Sequence, residues 1–290
     1  MVKIIDGKAI ASQLRVEIAQ EVQKIKNQHN IIPSLAVILV GSDPASEVYV
    51  SNKEKAAHSV GMNSVQYKLA AETSEKELIT KIHELNNDKN IHGILVQLPL
   101  PKHINQRLVI ATIDPRKDVD GFHIINAGKL AVGEIDDALI PCTPLGSLHL
   151  IKSAIGNNLA GLKALVVGSS NIVGAPLARL LMLEKCTVIV ANSSTKNLKE
   201  HALQSDIVIV ATGVKNLLKA DMVKPGAVII DVGINRVDLG NGKSKLVGDV
   251  DFDAIKEIAS AITPVPGGVG PMTIAYLLKN TLTCFKNLQD

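Results

Sequence analysis

One short stretch, ASEVYVSNKEKAA at positions 45–57, holds two residues whose types and spacing could move a proton. Tyr49 is one of only three tyrosines in the 290-residue chain, and Lys53 follows it by four positions. Residues four apart share one face of a helix, so the phenol and the ammonium group can point into the same cleft. The alternative is a solvated lysine beside a half-buried tyrosine, and the two residues alone favour that alternative.

The Tyr-x-x-x-Lys spacing also occurs in short-chain dehydrogenases, in which the pair carries the proton transfer. Those proteins bind the dinucleotide first and place the pair far downstream. Here Tyr49 and Lys53 precede the glycine turn at Gly168 by more than a hundred residues. The chain is therefore a poor match to that family, and the pair needs a different explanation.

The composition narrows the class of protein. Hydrophobic residues make up 46% of the chain and charged residues 20%, which is ordinary for a soluble globular enzyme. No Trp and only three Phe leave little aromatic surface for stacking bases, and the net charge of +3 forms no long basic run. The longest apolar runs are too short to span a bilayer. We therefore expect no nucleic-acid partner and no membrane association.

The cysteines indicate a reducing compartment. Cys142, Cys186 and Cys284 are far apart and show neither a disulfide framework nor the spacing of metal ligands, so no metal is expected. The opening MVKIIDGKAIASQL has no uninterrupted apolar segment, so we do not expect a secretory signal. These features predict a cytoplasmic protein.

The elements that would position these residues alternate along the chain. Short runs rich in Ile and Val predict buried parallel strands at 34–41, 92–100, 163–168, 186–192, 206–213 and 227–233. Helical periodicity predicts helices at 8–28, 45–60, 74–87, 174–184 and 253–260. This alternation predicts an α/β fold built from βαβ units with parallel sheets.

A boundary between two α/β domains is expected near 115–147, where Asp, Gly and Pro are frequent and strand signals are scarce. We expect residues 1–140 to form the first domain and 141–269 a second, Rossmann-like domain. The amphipathic helix within 270–290 follows a Pro/Gly loop and is predicted to return to the first domain. The alternative is a simple cover for the second domain.

The segment KALVVGSSNIVGAPLARLL, residues 163–181, predicts a dinucleotide site. A strand ends at Gly168 and a helix opens at Gly174, which places a pyrophosphate at a helix N-terminus. Ser170 replaces the middle glycine of the usual motif, so an ordinary βα turn is the alternative. A second glycine turn, in ATGVKNLL, follows another strand at the edge where ligands of such sheets bind.

The next strand indicates which nucleotide would bind. In an NAD site an acidic residue ends this strand and bonds the ribose hydroxyls. Here the strand ends in ANSSTK, so Ser193, Ser194, Thr195 and Lys196 offer hydroxyls and one positive charge instead. These groups suit a ribose phosphate, and the sequence favours NADP over NAD.

Seven segments in order along the chain resemble the methylenetetrahydrofolate dehydrogenase/methenyltetrahydrofolate cyclohydrolase family. They are GSDPASEVYVSNKEKAAHSVGM, GILVQLPLP, KDVDGFH, PCTPLG, VVGSSNIVGAP, GDVDF and TPVPGGVGPMT. The resemblance implies oxidation of 5,10-methylene-tetrahydrofolate with NADP and hydrolysis of the methenyl product to 10-formyl-tetrahydrofolate. It also implies a folate-binding catalytic first domain, an NAD(P)-binding second domain and a homodimer.

The resemblance assigns roles to individual positions. Lys53 matches the catalytic lysine, Gln97 the glutamine that hydrogen-bonds it, and Asp120 the aspartate that holds the amino edge of the pterin. Tyr49 matches the tyrosine that stacks on the folate. Further substrate-binding positions are Val96, Leu98, Pro266, Gly267, Gly268, Val269 and Gly270, and the nucleotide-binding positions are Gly168, Ser169, Ser170, Ser193 and Ile234.

Two departures from the family bear on the nucleotide. Many relatives have Arg at the position of Ser169 and His at that of Asn192, so NAD stays open as an alternative to NADP. The competing functions are a monofunctional dehydrogenase, a catalytically silent regulator that binds folate or dinucleotide, and an unrelated dehydrogenase of a hydroxy or shikimate-like acid. The presence of Lys53, Gln97 and Asp120 disfavours the first two, and VQLPLP disfavours the third.

Overall fold

The computed structural model describes residues 2–240 and 243–289. The chain divides into two compact units, named here by their sheets. The three-stranded unit comprises Ser12–Cys142 and the residues from Ile274 onward. The six-stranded unit comprises Thr143–Thr273 and the residues up to Ala11. Among the described residues, none of the helices is both long enough and apolar enough to cross a membrane.

The strands and helices alternate along most of the chain. The strands are β1 (Lys3–Ile4), β2 (Ser34–Val40), β3 (Asn63–Leu69), β4 (Gly93–Val96), β5 (Lys163–Val167), β6 (Thr187–Ala191), β7 (Ile207–Val210), β8 (Val228–Asp231), β9 (Asn235–Gly240), β10 (Lys243–Val247) and β11 (Ala261–Ile262). The helices are α1 (Gly7–His29), α2 (Pro44–Ser59), α3 (Glu75–Asn87), α4 (Gln106–Thr112), α5 (Ile124–Val132), α6 (Cys142–Ile155), α7 (Gly174–Leu183), α8 (Leu198–Leu203), α9 (Phe252–Ile255) and α10 (Val269–Asn287), with a 3₁₀ turn at Ala220–Met222.

The three-stranded unit is built on a parallel sheet with strand order β3-β2-β4. Every residue of β2 and of β4 is buried, as the continuous runs SLAVILV and GILV require. Leu78, Ile82 and Leu85 of α3 pack with these strands in one core. The last part of α10 also belongs to this unit, so the predicted return of the C-terminal helix is confirmed.

The six-stranded unit has a parallel sheet with strand order β1-β11-β8-β7-β5-β6. The chain leaves β5 for β6 on one side and then returns to β7 on the other side of β5. The strand order therefore reverses between β5 and β7, which is a topological switch point. The strands β9 and β10 form a separate antiparallel hairpin. The predicted α/β fold with two α/β units is confirmed.

Several elements differ from the sequence prediction. The run 92–100 yields only the four-residue β4, because Pro99 and Pro101 cannot donate to a sheet. β3 was missed because the prediction relied on continuous apolar runs, whereas NSVQYKL alternates polar and apolar residues, the pattern of a half-buried strand at a sheet edge. The region 115–147 contains α5 and the start of α6, and the helix expected at 253–260 is the single turn α9.

Candidate active site

Lys53 lies on the buried face of α2. Asp43 caps this helix by accepting a hydrogen bond of 2.8 Å from the Ser46 backbone N–H. Val50 and Ala57 are fully buried, and Lys53 lies between them with 9% of its surface exposed. Positions three and four apart share a helix face, so the lysine occupies a place that the packing of the helix would otherwise give to an apolar residue.

Gln97 provides the partner of this buried lysine. The Lys53 Nζ donates a hydrogen bond of 2.9 Å to Gln97 Oε1, and Gln97 Nε2 donates one of 2.6 Å to the Leu98 carbonyl. The second bond fixes which end of the amide faces the lysine. Gln97 is neutral, so it orients the amino group through a hydrogen bond and not through a salt bridge.

Asp120 lies in a tight turn beside this pair. The Gly121 N–H donates to the Asp118 carbonyl at 3.1 Å, and Gly121 has a φ of +69°. A Cβ at Gly121 would lie 2.5 Å from the Leu139 carbonyl oxygen, so only glycine fits this turn. The buried Asp118 carboxylate accepts bonds from the His123 backbone N–H and from Asn126 Nδ2, which holds the turn from below.

The pKa of the Asp120 carboxyl group is shifted by its surroundings. Burial raises its pKa to about 6, the positive charge of Lys53 lowers it, and the nearby Asp118 raises it again. Among residues 2–240 and 243–289, none donates a hydrogen bond to this carboxylate. The pair of acceptor oxygens is thus available to a ligand that presents two N–H donors.

Tyr49 and the residues flanking Gln97 complete this part of the unit. Tyr49 is 38% exposed, and burial of its phenol raises its pKa. Leu98 is half-buried, whereas the Val96 side chain is 5% exposed and packs in the core with Ile38. Of the predicted substrate-binding side chains here, Val96 is therefore the one that faces the core.

Asn280 is a residue of this site that the sequence interpretation missed. Its side chain is 5% exposed, and Nδ2 donates hydrogen bonds of 2.8 Å to the Val119 carbonyl and 2.9 Å to the Ile140 carbonyl. These bonds tie α10 to the backbone next to Asp120. The available signal was a polar residue on the apolar face of a helix, between Leu277 and Cys284.

The second set of predicted residues lies at the switch point of the six-stranded sheet. Gly168 follows β5 with a φ of +114°, and a Cβ there would lie 2.3 Å from the Ala211 carbonyl oxygen. A Cβ at Gly174 would lie 1.7 Å from the Gly168 carbonyl oxygen, so α7 can begin only with glycine. The turn between them exposes Ser169 and Ser170, and Ser170 Oγ accepts from the Val173 N–H at 3.2 Å. The backbone of this turn is closely packed at both glycines, and its two serines are exposed. Such a turn fits a dinucleotide pyrophosphate.

The loop after β6 is held by its own side chains. Thr195 Oγ1 accepts from the Asn192 N–H at 2.9 Å, and Asn192 Oδ1 accepts from the Ser194 N–H at 2.9 Å. Ser193 and Lys196 are exposed. The loop 192–196 contains no carboxylate, so it offers hydroxyls and a cation where NAD-binding sheets offer an acid.

The remaining predicted residues also belong to the six-stranded unit. The Gly267 carbonyl accepts from the Lys8 N–H at 3.0 Å, and a Cβ at Gly7 would lie 1.9 Å from the Gly268 carbonyl oxygen. The start of α1 therefore packs closely against the loop that precedes α10. Val269 is buried, whereas Pro266 and Ile234 are exposed and Gly270 is partly exposed. In the described parts of the chain, no group of three His, Cys, Asp or Glu residues could hold a metal ion.

The fold and these two sets of residues define a class of protein. A doubly wound sheet with a glycine turn at its switch point is typical of dinucleotide-dependent dehydrogenases. The three-stranded unit carries a buried lysine, an amide and a carboxylate that could transfer protons. The class is therefore a dehydrogenase with separate nucleotide-binding and catalytic parts.

Comparison with known proteins gives the family. Residues 5–120 match the model described as "Tetrahydrofolate dehydrogenase/cyclohydrolase, catalytic domain" and residues 141–289 the model of the corresponding NAD(P)-binding domain. The bifunctional protein FolD of Zymomonas mobilis is 54% identical over 98% of this chain and 97% of that protein. The chain belongs to the tetrahydrofolate dehydrogenase/cyclohydrolase family, and it is an enzyme.

Solved structures agree with this assignment. The bifunctional FolD of Campylobacter jejuni has a TM-score of 0.95 and 46% identity, and the match covers 99% of this chain and 100% of that one. The Trypanosoma brucei enzyme, complexed with NADP and an inhibitor, has a TM-score of 0.95 at 36% identity, covering 99% and 98%. The NAD-dependent enzyme of Saccharomyces cerevisiae has a TM-score of 0.81 at 26% identity, with 99% and 98% coverage.

Proposed function

We propose that this protein oxidises 5,10-methylene-tetrahydrofolate with NADP and hydrolyses the methenyl product to 10-formyl-tetrahydrofolate. The observation that carries the proposal is the hydrogen bond of 2.9 Å between the buried Lys53 and Gln97, with Asp120 near enough for Lys53 to lower its pKa. A monofunctional dehydrogenase would not need a buried lysine held by an amide. The family membership supports both activities.

The three-stranded unit would bind the folate. In this proposal the Tyr49 ring supports one face of the pterin, and the Asp120 carboxylate accepts hydrogen bonds from its amino edge. Asp120 is mostly ionised at pH 7, because its pKa of about 6 lies below that pH. The carboxylate thereby fixes the substrate so that its one-carbon bridge lies near Lys53.

Lys53 and Gln97 would handle water and protons. Hydrolysis adds one water to the methenyl carbon, breaks one carbon–nitrogen bond of the ring and releases one proton. The amino group of Lys53 can hold the attacking water, take up its proton when the amino group is neutral, and return that proton afterwards, which is a general acid–base role. Gln97 keeps the amino group aimed at the same point throughout, because its own amide is fixed on the Leu98 carbonyl.

The six-stranded unit would bind the nucleotide. A nicotinamide bound there would supply the acceptor for the hydride that leaves the methylene carbon. Gly168 and Gly174 would let the pyrophosphate approach the start of α7, with Ser169, Ser170 and Ser193 as hydrogen-bond donors and Ile234 against the nicotinamide side. Lys196 is the cation of the 192–196 loop, and it supports NADP over NAD because a ribose phosphate carries negative charge.

The direct test uses the purified protein with the methylene substrate and either NADP or NAD. We expect reduced nicotinamide and methenyl products with NADP, at a kcat/KM higher than with NAD. Turnover with neither nucleotide would refute the dehydrogenase. A preference for NAD would refute the role of Lys196 while leaving the rest of the proposal intact.

The assembly and location are part of the same proposal. The protein would be a homodimer that associates through β6, which is an edge strand of its sheet and exposes 43% of Val190. Analytical ultracentrifugation should give a dimer for the protein and a monomer for Val190→Lys.

The free, buried cysteines Cys142, Cys186 and Cys284 suit a reducing cytoplasm, which fractionation of the source cells would test.

A further inference from the structure

Two aspartates of the six-stranded unit, Asp231 and Asp249, are buried. Asp249 is fully buried and Asp231 is 3% exposed. Within residues 2–240 and 243–289, neither carboxylate forms a salt bridge. A buried carboxylate is costly unless hydrogen-bond donors replace its water, so the donors around these two groups indicate what they do.

The two oxygens of Asp249 hold two different segments. Oδ2 accepts hydrogen bonds of 2.7 Å from the Thr212 N–H, 2.9 Å from the Thr212 hydroxyl and 2.9 Å from the Gly213 N–H. Oδ1 accepts one of 2.8 Å from Asn235 Nδ2. A Cβ at Gly233 would lie 2.0 Å from Asp249 Oδ1, so only glycine fits beside this carboxylate. One side chain thus fixes the turn after β7 and the start of β9.

Asp231 holds Asp249 in its turn. The Asp231 carboxylate accepts from the backbone N–H groups of Asp249 at 2.9 Å, Val250 at 3.1 Å and Gly233 at 3.2 Å. A Cβ at Gly248 would lie 1.7 Å from Asp231 Oδ2. The backbone of the GDVD segment is therefore anchored at the end of β8, and the Asp249 side chain projects from a fixed base.

The two segments that Asp249 joins lie where a nucleotide would bind. The turn at Thr212 and Gly213 follows β7, at the carboxyl edge of the switch point between β5 and β7. Asn235 directly follows Ile234, which is exposed and is a predicted nucleotide-binding position. A carboxylate placed in this way sets the distance between both sides of a nucleotide crevice.

We propose that Asp249 is a positioning residue for the dinucleotide, acting through the Thr212–Gly213 turn and Asn235 rather than by touching the ligand. This inference rests on the proposed function, because it assumes that the dinucleotide binds at the switch point. Loss of the Asp249 carboxylate frees two backbone N–H groups and a hydroxyl at the edge of the crevice. Misplacement of a binding group by about 1 Å can cost on the order of a hundredfold in rate, so the effect should be large.

The test compares Asp249→Ala with a control variant. Asp249 binds the turn that follows β7, and the control residue lies at the other end of β7. Asp206 precedes β7, and its carboxylate accepts from the Lys163 N–H and from Lys224 Nζ, so Asp206→Ala also removes a loop-binding aspartate. We expect Asp249→Ala to raise the KM for NADP by roughly ten- to a hundredfold, with the cyclohydrolase rate on added methenyl substrate within about twofold of the parent. Asp206→Ala should leave the KM for NADP within about twofold, and the melting temperatures of both variants give the stability loss against which each KM is compared.

Two further variants make the role distinguishable from general stability. Asp249→Asn can keep one oxygen on the Thr212–Gly213 turn while its amide pairs with a flipped Asn235, so it should restore most of the affinity. Asn235→Ala removes only the Oδ1 contact and should raise the KM for NADP less than Asp249→Ala, which keeps the test informative if Asp249→Ala does not fold. Equal effects of Asp249→Ala and Asp206→Ala, or an unchanged KM in Asp249→Ala and Asn235→Ala, would overturn the inference.

Failure of the inference differs from failure of the proposed function. If the unaltered protein binds neither NADP nor NAD in calorimetry, the nucleotide site itself is wrong and the inference falls with it. If the unaltered protein binds NADP and the variants bind it equally well, only the positioning role of Asp249 is wrong.

Discussion

The charge of Asp120 should set the lower pH limit of folate binding. Burial raises the pKa of this carboxyl to about 6, so about 90% of it is ionised at pH 7 and about 10% at pH 5. A protonated carboxyl offers the pterin edge one acceptor fewer and no charge. We therefore expect kcat/KM for the folate substrate to fall about tenfold per pH unit below the midpoint near pH 6.

Substitution of Asp120 gives the magnitude of its contact. Hydrogen bonds to a charged group contribute roughly 1.5–3 kcal/mol, so Asp120→Asn should lower kcat/KM at pH 8 by roughly ten- to a hundredfold. The fall below pH 6 should also disappear, because the amide does not titrate. Initial rates at saturating NADP between pH 5 and pH 8 give both results.

The neighbouring lysine supplies an independent check on the cause. Because Lys53 lowers the pKa of Asp120, Lys53→Met should move the midpoint of folate binding to higher pH. Calorimetric titration with a non-reacting folate at several pH values measures this shift without turnover. An acid limb that stays in Asp120→Asn, or a midpoint that Lys53→Met leaves unmoved, would refute the reasoning.

Three further results are expected. Lys53→Met should slow hydrolysis of the methenyl substrate by about 10²–10⁴-fold while calorimetry still shows NADP binding, since it removes a general acid–base group and keeps the buried stem. Asn280→Leu should cost about 1–3 kcal/mol of unfolding free energy for each carbonyl left without a donor, and should raise the KM for folate but not for NADP. Asp231, whose pKa burial raises to about 7, binds a proton more tightly when folded, so its contribution to stability is present at low pH and is lost between about pH 4 and 7.

Each of these has its own contradicting result. Unchanged hydrolysis in Lys53→Met would show that another group handles the water. An increase in the KM for NADP equal to that for folate in Asn280→Leu would mean general loosening of the fold. For Asp231, urea unfolding of the parent and of Asp231→Asn should show the parent losing stability relative to the variant as pH rises from 5 to 8, and a constant difference would contradict the assignment.

The sequence predicted most strands of the two parallel sheets well, because short continuous apolar runs between turn signals are typical of strands buried on both faces. β2, β5 and β6 lie within one residue of their predicted ends, whereas the alternating β3 was missed because only continuous apolar runs were interpreted as strands. α5 was missed because IINAGKLAV is only nine residues long, contains Gly128, and lies in a region rich in Asp and Gly that was interpreted as a domain boundary.

The candidate site could be predicted only in part, because long-range contacts leave no local sequence pattern. Lys53, Gln97 and Asp120 stand in recognisable segments, but the contacts that position them come from distant parts of the chain. Asn280 reaches Val119 across 161 positions, and no local pattern encodes such a bond. Helix periodicity could have indicated that Lys53 is buried, since it lies on the same face as Val50 and Ala57.

The central claim is that one chain carries both steps, and the stoichiometry of a single reaction tests it most directly. The purified protein would be mixed with 5,10-methylene-tetrahydrofolate and NADP, and the reduced nicotinamide and 10-formyl-tetrahydrofolate would be quantified over time. The account predicts one formyl product for each reduced nicotinamide, with methenyl-tetrahydrofolate passing through only transiently. Reduced nicotinamide accompanied by methenyl product that decays no faster than in buffer alone would contradict it.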